Sequence, residues 1–318
     1  MRQSVAICLR VWQHSVTVKY MRRKFLCGLA AALWGSVLAA QPVPARELWQ
    51  FPLGAVLEPA ALASEAGTGL WNPASVSMAA DSRFRVGVAW LSASISQSVE
   101  SFLLGASWRR PSGYTFGVSV ARAAVSGLVR TESDPTSVGN IDYSSSLVSA
   151  TVARQVIPHV TVGLSARYRE GRTDLLIRSA IAGDLGLRVD SLTSRHIRIG
   201  LSSFLWRPGR ERDDQPIFLA AGDVRLFARK DLPDIRLGYA RGATSGGARE
   251  HGPFLSSRTG PLEVRGALVI TRAYGERDLR ARSGLALHLK RYIVGIGREE
   301  GIGGLGPLYQ FTLSSLVK

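Results

Sequence analysis

From Phe84 almost to its last residue the chain alternates apolar with small or polar residues, position by position. This period of two restricts its fold more than any other feature. "YTFGVSVA" sets Tyr114, Phe116, Val118 and Val120 on one side and Thr115, Gly117, Ser119 and Ala121 on the other, as the opposed side chains of a strand require. "HVTVGLSARY" repeats it through Val160, Val162, Leu164, Ala166 and Tyr168. "HIRIGLS", "IRLGYA", "LEVRGALVI", "RSGLALHL" and "RYIVGIG" carry it onward. No helical period of comparable length competes, so the chain reads as all-β.

A soluble sandwich alternates as well, so the period alone does not choose between water and membrane. Three features favour the membrane. The non-apolar face is mostly Gly, Ser, Thr and Ala with occasional Arg or His, which suits a crowded polar lumen. Tyr114, Tyr168, Tyr239, Tyr292 and Tyr309 stand on the apolar face near expected strand ends, where an interfacial girdle belongs.

The third feature is the spacing of the links. Short ones are expected at Arg109 to Gly113, Gln155 to Pro158, Asp190 to Arg195, Lys230 to Asp234, Ser257 to Pro261 and around Lys290. Longer polar ones are expected at Ser92 to Glu100, Ala123 to Asn140, Arg169 to Arg178, Arg207 to Gln215, Arg241 to Gly252, Arg272 to Arg280 and Arg298 to Gly306. Alternating short and long links are the mark of an up-and-down barrel with tight periplasmic turns and longer external loops. Counting through them predicts a closed antiparallel transmembrane β-barrel of about fourteen strands. Hydrocarbon offers no partner to an open edge, so the strand at Phe84 is expected to pair with the one at Tyr309 to Val317.

Ahead of the barrel, "MRRKFLCGLAAALWGSVLAAQPVPA" from Met21 has a basic start, an uncharged run and small residues at Ala39 and Ala40. That is a secretory signal peptide, with a single anchor helix as the alternative. The expected organisation is a leader over 1–40 with Met21 as its start, an N-terminal segment over 41–80, and the barrel over 81–318. Both cysteines, Cys8 and Cys27, fall in the leader, which leaves no disulfide or Cys-based metal site. Six basic residues and no acid fall there too, so the net charge drops from +16 to +10. The remaining arginines are dispersed, unlike the clustered basic and aromatic residues of a nucleic-acid surface, and no nucleic-acid partner is expected.

Catalysis finds no support. His159, His196, His251 and His288 are scattered, without partners at the spacing of a triad or metal site. "RERDDQ", with Glu211, Asp213 and Asp214, lacks the ligand spacing of a calcium loop and reads as solvated. No catalytic residue, metal or cofactor is expected. Arg167, His196, Arg198, Arg236, Glu263, Arg265 and His288 fall on the polar faces of their strands and are expected to line the lumen.

One short motif remains. "GLWNPASV", within Ser64 to Leu91, resembles the N-terminal region of the PorV/PorQ-like and long-chain fatty acid transporter (FadL-like) outer-membrane families. There an Asn-Pro-Ala motif, often Trp-Asn-Pro-Ala, stands directly before the first barrel strand. The matching residues here are Trp71, Asn72, Pro73 and Ala74. The resemblance implies that residues 41–80 fold inward as a plug or hatch in a fourteen-stranded barrel of the outer membrane, with outer-membrane lipid around it. It implies non-catalytic transport of hydrophobic small molecules or, alternatively, a type IX secretion role with secreted proteins as partners. The Gly-rich run usual upstream of the motif is absent, and the acidic pair common there is reduced to Glu65. Pro73 fixes its own φ and restricts Asn72, whose side chain is suited to bonding nearby backbone in a turn.

Overall fold

The computed structural model describes residues 42–49, 58–63, 69–77, 83–93, 98–131, 137–193, 196–208, 214–227, 233–244, 247, 249–273, 276–300 and 306–317. The leader expected over 1–40 lies outside them.

The first strands are β1 (Phe84–Ala93), β2 (Val99–Arg109) and β3 (Tyr114–Val125); β4 (Val129–Thr131) and β5 (Ser137–Asn140) follow in the next link. β6 (Tyr143–Ile157), β7 (Val160–Thr173), β8 (Leu176–Leu192) and β9 (Ile197–Trp206) come next. Then stand β10 (Ile217–Arg225), β11 (Asp234–Thr244), β12 (Arg249–Thr259) and β13 (Leu262–Ala273). β14 (Glu276–Leu289), β15 (Tyr292–Glu299) and β16 (Leu308–Val317) complete the chain. All but β4 and β5 join in one closed antiparallel barrel of fourteen strands, while β4 and β5 pair with each other as a separate hairpin. The expected seam closes between β1 and β16, from Phe84 opposite Val317 to Ala93 opposite Leu308.

The period of two sorts into an inside and an outside. Along β7, Thr161, Gly163, Ser165, Arg167 and Arg169 are buried while Val162, Leu164 and Tyr168 are exposed. Every barrel strand carries at least one exposed large apolar residue, from Leu201 alone on β9, Phe218 on β10 and Leu255 on β12 to five on β8. Apolar surface on this scale is stable against lipid and costly in water, at about 25 cal/mol per Å². The chain is therefore an all-β, closed transmembrane barrel. Tyr114 and Tyr292 open their strands at the short-turn end and Tyr309 stands near the loop end, while Tyr168 and Tyr239 stand further along theirs.

Several links depart from expectation. Arg169 to Arg178 is not a loop: β7 and β8 continue through it to a turn at Asp174 and Leu175. Likewise β11 and β12 extend into Arg241 to Gly252, and β13 and β14 into Arg272 to Arg280. These stretches are mostly polar, with Leu175, Leu176, Ile177 and Leu279 as exposed exceptions, so alternation fades although pairing does not. The link expected to be short at Lys230 to Asp234 is longer, since β10 ends at Arg225 and β11 begins at Asp234.

Candidate functional site

The segment ahead of β1 lies against the inward faces of β6 to β9. Pro73 opens a single 3-10 turn, Pro73–Val76, a position where its missing N–H is not needed. Asn72 caps the turn, its Oδ1 accepting from the Ala74 N–H at 3.0 Å. Its Nδ2 donates to the Ala61 carbonyl at 2.7 Å and to the Leu187 carbonyl of β8 at 3.2 Å. One fully buried amide thus joins its own turn, the preceding turn and the barrel wall. The wall gives room for it by omitting side chains. A Cβ on Gly163 would stand 2.3 Å from the Pro73 carbonyl carbon, and one on Gly186 would stand 2.1 Å from Asn72 Oδ1.

Trp71 is held from both ends. Its carbonyl accepts from Ser202 Oγ of β9 at 2.8 Å. Its ring packs on Phe204 at 4.8 Å between centroids and near Trp49 at 6.3 Å, and Trp49 Nε1 donates to Ser145 Oγ of β6 at 2.8 Å.

Behind Phe204 the wall itself is irregular. The β8–β9 register shifts between Gly183 and Leu185, leaving Phe204 and Leu205 opposite Asp184 as a bulge. Leu205 takes a left-handed φ of 58° and its N–H donates to Asp184 Oδ1 at 2.8 Å. Both Phe204 and Leu205 are buried. Arg167 completes the cluster: its guanidinium lies 4.6 Å from the Phe204 ring centroid and donates to Asp184 and to the Leu70 carbonyl. The bulge, an ion pair and the motif therefore share one buried junction.

The expected lumen residues separate into three groups. Arg167 belongs to the junction just described. Arg198 and Arg236 converge on Asp223, at 3.0 Å and 2.7 Å. Glu263, Arg265 and His288 form a third group, with Glu263 accepting from Arg265 at 2.7 Å and meeting His288 Nε2 at 2.8 Å, and Glu58 standing 3.7 Å from Arg265. His196 is different. It sits exposed in the β8–β9 turn with a φ of 49°, and its carbonyl, not its ring, accepts from Arg236 at 3.1 Å.

Asp214 is a correction to the sequence reading. It is 1% exposed and holds three arginines: Arg46 at 2.9 Å, Arg169 at 2.8 Å and Arg207 at 3.0 Å. Glu211 and Asp213 of the same stretch lie outside the described residues. Burial lowers Arg46 to about 10, against the opposing pull of Asp214. Because Arg46 precedes the motif and Asp214 follows β9, this cluster ties the inner segment to a loop. Asp214→Asn is expected to cost about 3 kcal/mol, since one accepting oxygen becomes an NH2 that only donates and the buried arginines lose their counter-charge. Urea unfolding of the detergent-folded barrel measures it, together with faster tryptic cleavage after Arg46.

Beside the inner segment a cavity of about 90 Å³ remains between Glu58 to Ala61 and strands β9 to β14. Ile217, Leu219, Phe254, Ala267 and Val269 form an apolar side, and Arg265, Arg282 and Glu250 stand at its polar margins. Among the described residues no group of three His, Asp or Glu is arranged to hold a metal.

No family model matches the chain, and no curated protein matches it. Solved structures do. CymD, a monoaromatic hydrocarbon channel, superposes with a TM-score of 0.52 at 11% identity, over 84% of this chain and 99% of that one. A deltaS2S3 mutant of TodX, also a monoaromatic hydrocarbon channel, gives 0.50 at 10% identity, over 80% and 95%. At such identities the likeness is one of fold: this chain has the closed-barrel architecture on which those channels are built.

Proposed function

We propose that the chain is a non-catalytic outer-membrane channel for small hydrophobic molecules, in which residues 41–80 serve as a plug and Trp71, Asn72, Pro73 and Ala74 as its anchor. On this reading the leader over 1–40 is removed on export. The observation that carries it is the filled interior. Fourteen strands enclose more space than side chains fill in an eight-stranded barrel, and here the motif's turn packs on the inward faces of β6 to β8 while a small, largely apolar cavity is left beside Glu58 to Ala61. Such a space suits a small apolar solute better than a column of water.

The alternative is a secretion accessory that binds secreted proteins. It draws on the β4–β5 hairpin in the longest link, where Leu128 and Val129 are exposed. A strain lacking the chain separates the two. Slower uptake of a labelled aromatic hydrocarbon or fatty acid with an unchanged secretome supports the channel. Normal uptake with surface proteins missing from the medium supports the accessory role, and a strain unaffected in both respects removes both readings.

A further inference from the structure

The outward face of β12 to β14 changes character at one level of the ladder. Pro253, Leu268 and Ala281 occupy one level, with Leu268 directly opposite Ala281, and His251, Ile270 and Leu279 stand in line at the next. The level beyond it is Arg249, Arg272 and Arg277, directly opposite one another on three neighbouring strands. All three are exposed. The inward residues beside them are occupied with each other, because Arg280 donates to Glu250 at 3.2 Å and to Thr271 at 2.6 Å. Among the described residues no acid pairs with any of the three. Glu300, on the same outward face, lies level with Ala281, whose N–H its carboxylate accepts at 3.0 Å.

Like charges directly opposite on adjacent strands, about 4.8 Å apart, destabilise a sheet. Three in a row span about 10 Å, and a row of this kind is stable when an external anion neutralises it. Its height is informative. It stands one level, about 7 Å along the strand, beyond the apolar Ile270 and the 62% exposed Leu279, where acyl chains give way to headgroups. Guanidinium forks match phosphate oxygens in pairs, and three adjacent forks suit a headgroup with more than one phosphate better than a single phosphodiester.

We propose that Arg249, Arg272 and Arg277 form a binding site for the phosphates of lipid A in the outer leaflet. The site rests on the outer-membrane reading, with the long-link end facing outward. Its occupant packs acyl chains against Leu279 and Ile270 and sets its phosphates across the arginine row.

The test uses the full chain refolded in detergent micelles and titrated with fluorescent bisphosphoryl lipid A, monophosphoryl lipid A and phosphatidylglycerol. Bisphosphoryl lipid A is expected to bind most tightly. Replacing all three arginines by Gln weakens it about tenfold or more, Arg272→Gln alone weakens it severalfold, and Arg122→Gln, an isolated exposed arginine on β3, leaves it unchanged. A heat-dependent gel shift reports barrel closure for each protein. Should the triple variant not fold, Arg272→Gln carries the comparison. Binding unaffected by these changes, or phosphatidylglycerol binding as tightly as bisphosphoryl lipid A, overturns the site. Absence of the gel shift in the unmodified chain overturns the barrel reading instead.

Discussion

Arg167→Met is expected to lower the unfolding free energy of the barrel by about 3–5 kcal/mol, the cost of leaving one member of a buried ion pair without its partner. Arg167 and Asp184 have side chains fully removed from solvent. The substitution leaves the Asp184 carboxylate with only the Leu205 N–H at 2.8 Å, and takes the guanidinium away from the Leu70 carbonyl and the Phe204 ring. The double variant Arg167→Met with Asp184→Asn removes the stranded charge while keeping an acceptor for Leu205. It is expected to recover much of the loss, giving strong non-additivity between the two positions. Equilibrium urea unfolding in phospholipid vesicles, followed by tryptophan fluorescence, reads both. Two small and simply additive effects would mean that the junction behind Trp71 contributes little to holding the wall.

The second large effect concerns passage. A chain without residues 42–77 is expected to conduct ions in planar bilayers on the order of tenfold more than the full chain, because the interior space of a fourteen-strand wall is no longer occupied. Gly186→Val approaches the same state by a single change. Its Cβ would stand 2.1 Å from Asn72 Oδ1 and 2.8 Å from the Ala74 nitrogen, so the turn must shift. Overpacking of this kind costs about 1–3 kcal/mol, and the conductance of the variant is expected to rise part of the way. Equal conductance in all three proteins would show that these residues do not obstruct the lumen, and the plug reading would have to be given up.

The two experiments divide the site along its physical seam. The first asks what fixes the wall at the β8–β9 bulge, where Leu205 sits at a φ of 58° that a branched side chain seldom adopts. The second asks what the fixed wall supports. Trp71 belongs to both, since its ring rests on Phe204 of the bulge while its carbonyl is held by Ser202.

Much of the architecture was legible from residues alone. Strand identity, the direction each side chain faces and the pairing of Phe84 with the chain's last strand all follow from local rules: a pleat sends neighbours to opposite faces, and lipid tolerates no free edge. The Trp71 to Ala74 motif was singled out by its resemblance to a family pattern rather than by these rules. Links were read less well. Arg169 to Arg178 and Arg272 to Arg280 are paired strand ends rich in Arg, Asp and Glu, where the period loses its contrast.

What the tertiary structure alone decided is the pairing of charge. Alternation places Arg167 on the inner face, but that it meets Asp184 depends on the β7–β8 register, and that it also reaches the Leu70 carbonyl depends on where the preceding segment lies. Asp214 looked like part of a hydrated loop because its three arginines come from positions 46, 169 and 207, which only the closed barrel and its inner segment bring together. His196 stands exposed in the β8–β9 turn at a left-handed φ of 49°, a position that a period of two does not foresee. Facing is a property of one strand and its solvent, so sequence determines it. Partnership between charges depends on register, closure and chain path at once, and is settled only when all of the strands are in place.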